Sequence, residues 1–325
     1  MNEVLFTLVL ALAWFGAVNL GLSAMAAATW WLVERGAVRL RARSAPAVLL
    51  ALKLLPGVVA LVFTFVVFLP AQWRFEPEGV DESAGYSLIA LGLLGGVTLA
   101  LAMRRAVRDA RVTRTLERGW MARAVEARRL AGDRLPVYFL PDAAPIISLA
   151  GLRRPRVFMA RSVVEAFTED ELDLSLAHEL AHHATRDNLK RVLVACSPDL
   201  LGIWSSGRAL EQRWRAAVEF AADARAVRGS DERAVSLASA LLKVARLAPA
   251  LGLSTAGSAF YDGTLLWARI DRLLAPATND VSAPPLARVW SVSLGGMTLL
   301  AAVLAAEAVW FGVHLATEGL VRFLP

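Results

Sequence analysis

Long apolar runs lie towards both ends of the chain and predict helices that cross a membrane. Because a helix needs about 20 apolar residues to span a bilayer, four stretches are candidates: about Val4 to Val33, Ala45 to Pro70, Tyr86 to Met103 and Val289 to Ala316. The third stretch is the shortest. The first follows Asn2 and Glu3 rather than a basic segment and exceeds the core of a signal peptide, so we expect it to remain as a span.

Between the third and fourth spans the pattern is mixed, which predicts a folded domain. The runs Leu135 to Leu140 and Val157 to Ala160 are rich in β-forming residues and predict strands of a small sheet. Thr168 followed by Glu171 is a capping box, so we predict a helix that starts there and continues to about Val194.

Further helices are predicted from about Ser206 to Arg228 and from Glu232 to Leu247. The stretch from Ala248 to Pro285 is rich in Gly, Ser, Ala and Pro apart from Leu265 to Leu274, and predicts a loosely structured connector. The predicted domains are residues 1–103 with three membrane helices, residues 104–288 as a cytoplasmic domain, and residues 289–325 with the fourth span and a short tail.

Composition and charge support a membrane protein and predict its orientation. The 325 residues are 57% hydrophobic, which is too apolar for a soluble protein. The connectors after the first and third spans are basic, and the connector after the second is acidic. Because Lys and Arg are retained in the cytoplasm, we expect both termini outside the inner membrane and the central domain inside.

The basic run from Arg104 to Arg129 is explained by the same rule and by contact with anionic lipid, so no nucleic-acid partner is expected. The single cysteine, Cys196, excludes a disulfide framework or a cysteine-based zinc module within one chain.

The predicted helix after Thr168 carries His178-Glu179-Leu180-Ala181-His182, an H-E-x-x-H pattern. A spacing of four places both imidazoles on one face, where they can hold one metal ion, while Glu179 can reach a metal-bound water. This pattern is typical of zinc-dependent hydrolysis, with the glutamate as general base. We therefore expect a hydrolase with one zinc ion.

The chain has only four histidines, which restricts the choice of a third ligand. His183 points about 100° away from His182, and we expect it at the surface or behind the ligands. His314 lies near the outer end of the fourth predicted span. Because a catalytic zinc has three protein ligands, the third is expected to be a carboxylate.

The helix predicted from Ser206 offers that carboxylate in Glu219, followed one turn later by Asp223. We expect Glu219 to bind the metal and Asp223 to orient a ligand histidine by accepting its other ring N–H. The alternatives are a solvated helix edge at these two positions, or Glu211 as the ligand. Asp187 is a candidate for supporting the ligand helix, although an exposed charge pair with Arg186 is an alternative.

These motifs resemble the BlaR/MecR-type membrane metallopeptidases, which are gluzincins. The resemblance rests on Leu176 to His183, Arg186-Asp187, Glu219 to Asp223, Gly151 to Ala160, and the predicted topology. It implies a mainly α membrane protein with four transmembrane helices and a cytoplasmic α+β, zincin-like protease domain between the third and fourth. It also implies that Glu179 is the general base and that His178, His182 and Glu219 bind zinc.

The resemblance further implies a metalloendopeptidase that cleaves a cytoplasmic or membrane-proximal protein, such as a transcriptional repressor. We expect the edge strand near Val157 to Ala160 to hold the substrate beside the metal. The chain ends at Pro325, so the penicillin-binding sensor of the antibiotic receptors is not expected. Two alternatives are a quality-control or processing protease of the HtpX and CAAX prenyl protease type, and a non-proteolytic membrane scaffold with a structural zinc.

Overall fold

The computed structural model describes residues 3–36, 44–75, 85–128, 135–141, 147–247, 263–275 and 307–323. These residues are mainly helical and include one small sheet. They form two compact units. The first comprises Met1–Arg105, Val194–Glu211 and Val281–Pro325, and the second comprises Ala106–Leu193 and Gln212–Asp280.

The apolar runs of the first unit form long helices. These are α1 (Glu3–Glu34), α2 (Ala45–Val62), α3 (Leu69–Phe75) and α4 (Tyr86–Arg123), with a π-helical turn, Phe63–Phe68, joining α2 to α3. Within the described residues, three helices are long and apolar enough to cross a membrane: Glu3–Glu34, Ala45–Phe75 and Tyr86–Arg123. The chain thus carries the three predicted N-terminal apolar helices.

The helix predicted to end at Met103 continues to Arg123, so most of the basic run is helical. Most of the fourth predicted span, residues 289–306, lies outside the described residues. The helix α11 (Glu307–Phe323) begins inside that predicted span and continues past Ala316. The number of spans and their orientation stay predictions.

Helices α1 and α4 approach each other through glycines. A Cβ atom at Gly16 would lie 2.7 Å from the carbonyl oxygen of Leu91, and one at Gly92 would lie 3.2 Å from that of Val9. Without side chains at these positions the two backbones pack closely, as is common between membrane helices.

The first unit also contains a buried polar cluster around the segment from Ser197 to the 3₁₀ turn Leu200–Ile203. Lys53 Nζ lies 3.2 Å from Asp199 Oδ1, and both side chains are buried. Asn19 Nδ2 donates to the carbonyl of Pro198 at 2.5 Å, and Asn19 Oδ1 accepts the N–H of Leu200 at 3.3 Å. These contacts bind the segment to α1 and α2.

The second unit contains a four-stranded sheet of β1 (Glu126–Arg128), β2 (Val137–Leu140), β3 (Ile147–Ala150) and β4 (Arg156–Ala160). The order is β1-β2-β4-β3, with β2 parallel to β4 and the other pairs antiparallel. Both predicted strands are present. The expectation that Val157 to Ala160 forms an edge is wrong, because β3 pairs with its outer side and is itself the edge strand.

Six α-helices are described between the sheet and α11: α5 (Arg161–Ala166), α6 (Glu169–Ala184), α7 (Asp187–Cys196), α8 (Ser205–Val227), α9 (Asp231–Leu247) and α10 (Gly263–Leu274). One hydrophobic core contains side chains of the sheet together with Val163 of α5, Leu176 of α6, and Ala240 and Val244 of α9. The sheet and α6 thus share one packed core, which places the H-E-x-x-H helix on a rigid base.

Two predicted elements differ from the structure. The single helix expected from Thr168 to Val194 is wrong, because α6 ends at Ala184 and α7 begins at Asp187. Between them Arg186 adopts a left-handed φ of 53°, which interrupts the helix without Gly or Pro. In the predicted connector, Gly263–Leu274 is a regular helix, and residues 248–262 and 276–285 lie outside the described part.

Candidate metal centre

The N-terminus of α6 is held by the predicted capping box, which positions the histidines along the helix. Thr168 Oγ1 accepts the N–H of Glu171 at 3.3 Å, and Glu171 Oε2 accepts the N–H of Thr168 at 2.8 Å. About three turns later, His178 and His182 share one face and are buried. Their Nε2 atoms are 3.0 Å apart.

Each histidine contacts a carboxylate through its other ring nitrogen. His178 Nδ1 lies 2.9 Å from Asp223 Oδ1 on α8, and His182 Nδ1 lies 2.9 Å from Asp187 Oδ2 on α7. A neutral imidazole that donates from Nδ1 has a lone pair on Nε2. The two Nε2 lone pairs then face each other and would repel, so this arrangement suits a cation that both can bind.

Glu219 of α8 completes a group of three ligand atoms. Its Oε2 lies 3.4 Å from His178 Nε2, and its Oε1 lies 3.6 Å from His182 Nε2. Tetrahedral zinc with bonds of about 2.0–2.2 Å separates its ligand atoms by about 3.3–3.6 Å. Both distances to Glu219 lie in or at the end of this range and the 3.0 Å between the two Nε2 atoms lies slightly below it, so the three residues form a buried group that could hold a metal.

The carboxylates at this centre favour their charged forms. Burial opposes ionisation of Glu219, but hydrogen bonds with His178 and His182 and the charge of Arg269 hold its pKa well below its usual range. Burial likewise opposes protonation of His182, but hydrogen bonds with Asp187 and Glu219 raise its pKa to about 10. A proton and a metal ion therefore compete for the same histidine.

Glu179 follows His178 in the sequence, acts electrostatically on His182, and contacts the edge strand. Its Oε2 accepts the backbone N–H of Leu149 in β3 at 2.7 Å, and the side chain is buried. The carbonyl of Leu149 accepts a hydrogen bond from Asn188 Nδ2 at 3.0 Å. The polar backbone groups of Leu149 are thus directed away from β4 and towards the α6 and α7 side of the sheet.

The break between α6 and α7 brings Asp187 back to the histidine of the preceding helix. Asp187 is buried and also accepts hydrogen bonds from Thr185 Oγ1 at 2.6 Å and from Lys190 Nζ at 2.8 Å. Burial would raise the pKa of Asp187, but its hydrogen bonds with His182, Lys190 and Thr185 lower it to about 2. Farther along α7, Arg191 lies 3.3 Å from Glu219 Oε1 with a side chain that is 42% exposed.

Arg269 of α10 is a site residue that sequence reasoning missed. Its guanidinium is buried and donates to both oxygens of Asp223, at 2.7 and 2.8 Å, and also lies 3.3 Å from Glu219 Oε2. A signal was present in the sequence: Arg269 stands beside Ile270 and at helical spacing from Leu266 and Leu273, on the apolar face of an amphipathic helix.

Other candidate residues lie outside this group. Glu211, the alternative ligand, has its Oε2 3.9 Å from Lys53 in the first unit. His183 is exposed, and His314 lies in α11 with its Nε2 3.5 Å from Glu318. The structure thus brings together His178, His182 and Glu219, with Glu179 beside them and Asp187 and Asp223 behind them.

Residues 149–257 match the family model of peptidase family M48. The match covers a third of the chain and includes the last two residues of β3, all of β4, and α5 to α9. It supports a peptidase domain, of a family that is generally zinc-dependent, on a chain with three long apolar helices. No curated protein and no solved structure matched the chain.

Proposed function

We propose that this protein is a membrane-embedded, zinc-dependent endopeptidase that cleaves a cytoplasmic or membrane-proximal protein. The observation that carries the proposal is the placement of Glu179 beside the group of His178, His182 and Glu219, with its carboxylate at the edge strand. A purely structural zinc site needs neither a neighbouring base nor an adjacent strand edge.

In the proposed reaction, His178, His182 and Glu219 hold the metal. When bound, zinc would polarise the scissile carbonyl and lower the pKa of a water molecule. Glu179 accepts the proton of the attacking water and delivers it to the leaving amine. The N–H of Leu149 keeps the Glu179 carboxylate turned towards β3, which is where we expect the substrate.

The edge strand β3 is the proposed binding surface for the substrate backbone. Among the described strands, β3 pairs only with β4, and the backbone groups of Leu149 face away from that pairing. An extended peptide added along this edge would run next to Glu179, and its main chain would replace Glu179 and Asn188 as hydrogen-bond partners of the Leu149 backbone. This moves the expected binding strand from Val157–Ala160 to Ile147–Ala150.

The three long apolar helices support a substrate that is itself in or near the membrane. A BlaR/MecR-type signalling role with a repressor as substrate is part of the proposal. The support for this role is the motif resemblance alone. The M48 match does not distinguish that role from processing or quality control by an HtpX/CAAX-type protease.

A cleavage assay with bound-metal analysis tests the proposal. We expect the detergent-purified protein to contain about one zinc per chain and to cleave casein or itself. Glu179→Gln should retain the zinc and lose cleavage, because the amide cannot accept the proton. Glu169→Gln, an exposed change on the same helix, is the matched control and should cleave at the wild-type rate.

An unchanged cleavage rate in Glu179→Gln would contradict the assignment. A wild-type protein that binds zinc but cleaves neither casein nor itself would favour the non-proteolytic scaffold instead.

A further inference from the structure

Arg269 contacts two carboxylates of the proposed metal centre, Asp223 and Glu219. Its two hydrogen bonds reach both oxygens of Asp223, which in turn contacts His178 Nδ1 at 2.9 Å. Its Nη1 also lies 3.3 Å from Glu219 Oε2. One guanidinium therefore contacts the proposed third ligand and the carboxylate behind the first ligand.

The family match does not account for this residue. The match ends at residue 257, and Arg269 lies on α10 beyond it, in the part of the sequence that predicts a connector. Arg269 is 1% exposed, so it is not a rim residue free to bind solvent. A buried charge of this kind is costly unless specific partners compensate it.

The charges of the centre indicate why a cation is needed at this place. Four buried carboxylates surround the two histidines: Glu179, Asp187, Glu219 and Asp223. Lys190 pairs with Asp187, and Arg269 pairs with Asp223. Glu219 also contacts Arg269 and the half-exposed Arg191, so four carboxylates face three cationic side chains at this centre.

The planar shape of the Arg269 guanidinium allows it to orient the Asp223 carboxylate. A planar guanidinium forms two parallel hydrogen bonds to one carboxylate and so fixes the plane of that carboxylate, whereas an ammonium acts as a point charge. The orientation of Asp223 influences the orientation of the His178 ring, since Asp223 Oδ1 lies 2.9 Å from His178 Nδ1.

We propose that Arg269 is a positioning residue of the metal centre: it fixes Asp223 against His178 and steadies Glu219, and so sets the affinity for zinc. This inference rests on the proposed function in taking His178, His182 and Glu219 as zinc ligands. Arg269 itself touches neither metal nor substrate, and its contribution passes through the two carboxylates.

Zinc affinity of the full-length, detergent-purified protein tests this role. Arg269→Lys keeps the charge but loses the two parallel hydrogen bonds, and we expect zinc binding to weaken about 10- to 100-fold, as for other changes behind metal ligands. The dissociation constant is measured by competition with a chelating dye. Arg272→Lys is the matched control on α10, because Arg272 is exposed and stacks on Phe220, and its zinc affinity should equal that of the wild type.

A double-mutant cycle tests whether Arg269 influences zinc affinity through Asp223. If Arg269 acts through Asp223, then Arg269→Lys combined with Asp223→Asn should weaken zinc binding by much less than the product of the single effects. Fully multiplicative effects would overturn the proposal, as would wild-type zinc affinity in Arg269→Lys. The melting temperature of the metal-free protein is measured in parallel: a large fall with unchanged zinc affinity would make Arg269 purely structural and also overturn the proposal.

The two proposals fail separately. If the double-mutant cycle of zinc affinity gives the expected result but the wild-type protein cleaves nothing, the peptidase assignment fails and the role of Arg269 stands. If Glu179→Gln abolishes cleavage while Arg269→Lys binds zinc normally, the assignment stands and the role of Arg269 fails.

Discussion

His178 and His182 lie one turn apart on α6, yet each is oriented by a carboxylate from a different helix. Asp223 reaches His178 from α8, and Asp187 reaches His182 from the start of α7. These contacts favour the tautomer with a free lone pair on Nε2. The metal centre thus depends on residues behind the ligands as much as on the ligands.

Asp187→Asn tests this dependence at His182. Asparagine can still accept the Nδ1 proton but removes the negative charge, so the imidazole becomes a weaker ligand. We expect the zinc dissociation constant to rise about 10-fold, and Asp187→Ala to raise it further because the hydrogen bond is lost too. Both values come from chelator competition.

The control for this change is Asp173→Asn, which alters an exposed aspartate on α6 and should leave zinc affinity unchanged. Equal zinc affinity of Asp187→Asn, Asp187→Ala and the wild type would show that Asp187 does not orient His182.

Among the elements, α6 is fixed at its N-terminus by more than its cap. Glu171 accepts hydrogen bonds from Lys243 Nζ at 2.6 Å and Ser239 Oγ at 2.7 Å, both on α9, in addition to the N–H of Thr168. The first turn of α6 is thereby attached to α9. This attachment holds the helix that carries His178 and His182 against the core.

The Glu171 contacts predict a specific dependence of stability on pH. Burial opposes ionisation, but hydrogen bonds from Lys243, Ser239 and Thr168 outweigh it and lower the pKa of Glu171 below its ordinary value of 4.5. A carboxylate with a lowered folded-state pKa stabilises the fold above the unfolded-state pKa, and this contribution is lost as the pH falls through the folded-state pKa.

Glu171→Gln should therefore melt at a lower temperature than the wild type at pH 7, and the difference should shrink as the pH falls below about 4.5. The measurement is thermal unfolding of the metal-free protein across this pH range. Glu165→Gln, at an exposed position of α5, serves as the control and should follow the wild-type curve. A constant difference between Glu171→Gln and the wild type at all pH values would contradict the prediction.

Local sequence patterns predicted the elements that depend on neighbouring residues. The cap at Thr168, the spacing of His178 and His182, and the spacing of Glu219 and Asp223 are all encoded within a few residues. The left-handed turn at Arg186 was missed because neither Gly nor Pro marks it. The ion pair of Arg269 with Asp223 joins positions 46 residues apart, and periodicity contains no such information.

The sheet illustrates the same limit. The strand Ile147–Ala150, with the sequence Ile-Ser-Leu-Ala, has fewer β-branched and aromatic residues than Val137–Leu140 or Arg156–Ala160, so its β-strand signal is weaker. Once β3 is present it covers β4, so the edge beside Glu179 belongs to β3 and not to Val157–Ala160. Which strand lies at the edge is a property of the whole sheet.

At the scale of the whole molecule, the chain combines three long apolar helices with the metal centre of the second unit. The segment between α7 and α8 belongs to the first unit, where Asp199 pairs with Lys53 of α2 and the backbone at Pro198 and Leu200 bonds to Asn19 of α1. The helices on either side of this segment carry Asp187, Glu219 and Asp223. Along the chain, this segment thus lies between two helices that carry residues of the proposed site.

The proposed reaction is the hydrolysis of peptide bonds with Glu179 as the base. Its most direct test is a proteome-wide comparison of new protein N-termini between cells that express the wild type and cells that express Glu179→Gln at equal levels. We predict a set of N-termini, in cytoplasmic or membrane-proximal segments, that appears only with the wild type. Identical sets of N-termini in the two strains, with zinc bound to both proteins, would contradict the proposed role of Glu179.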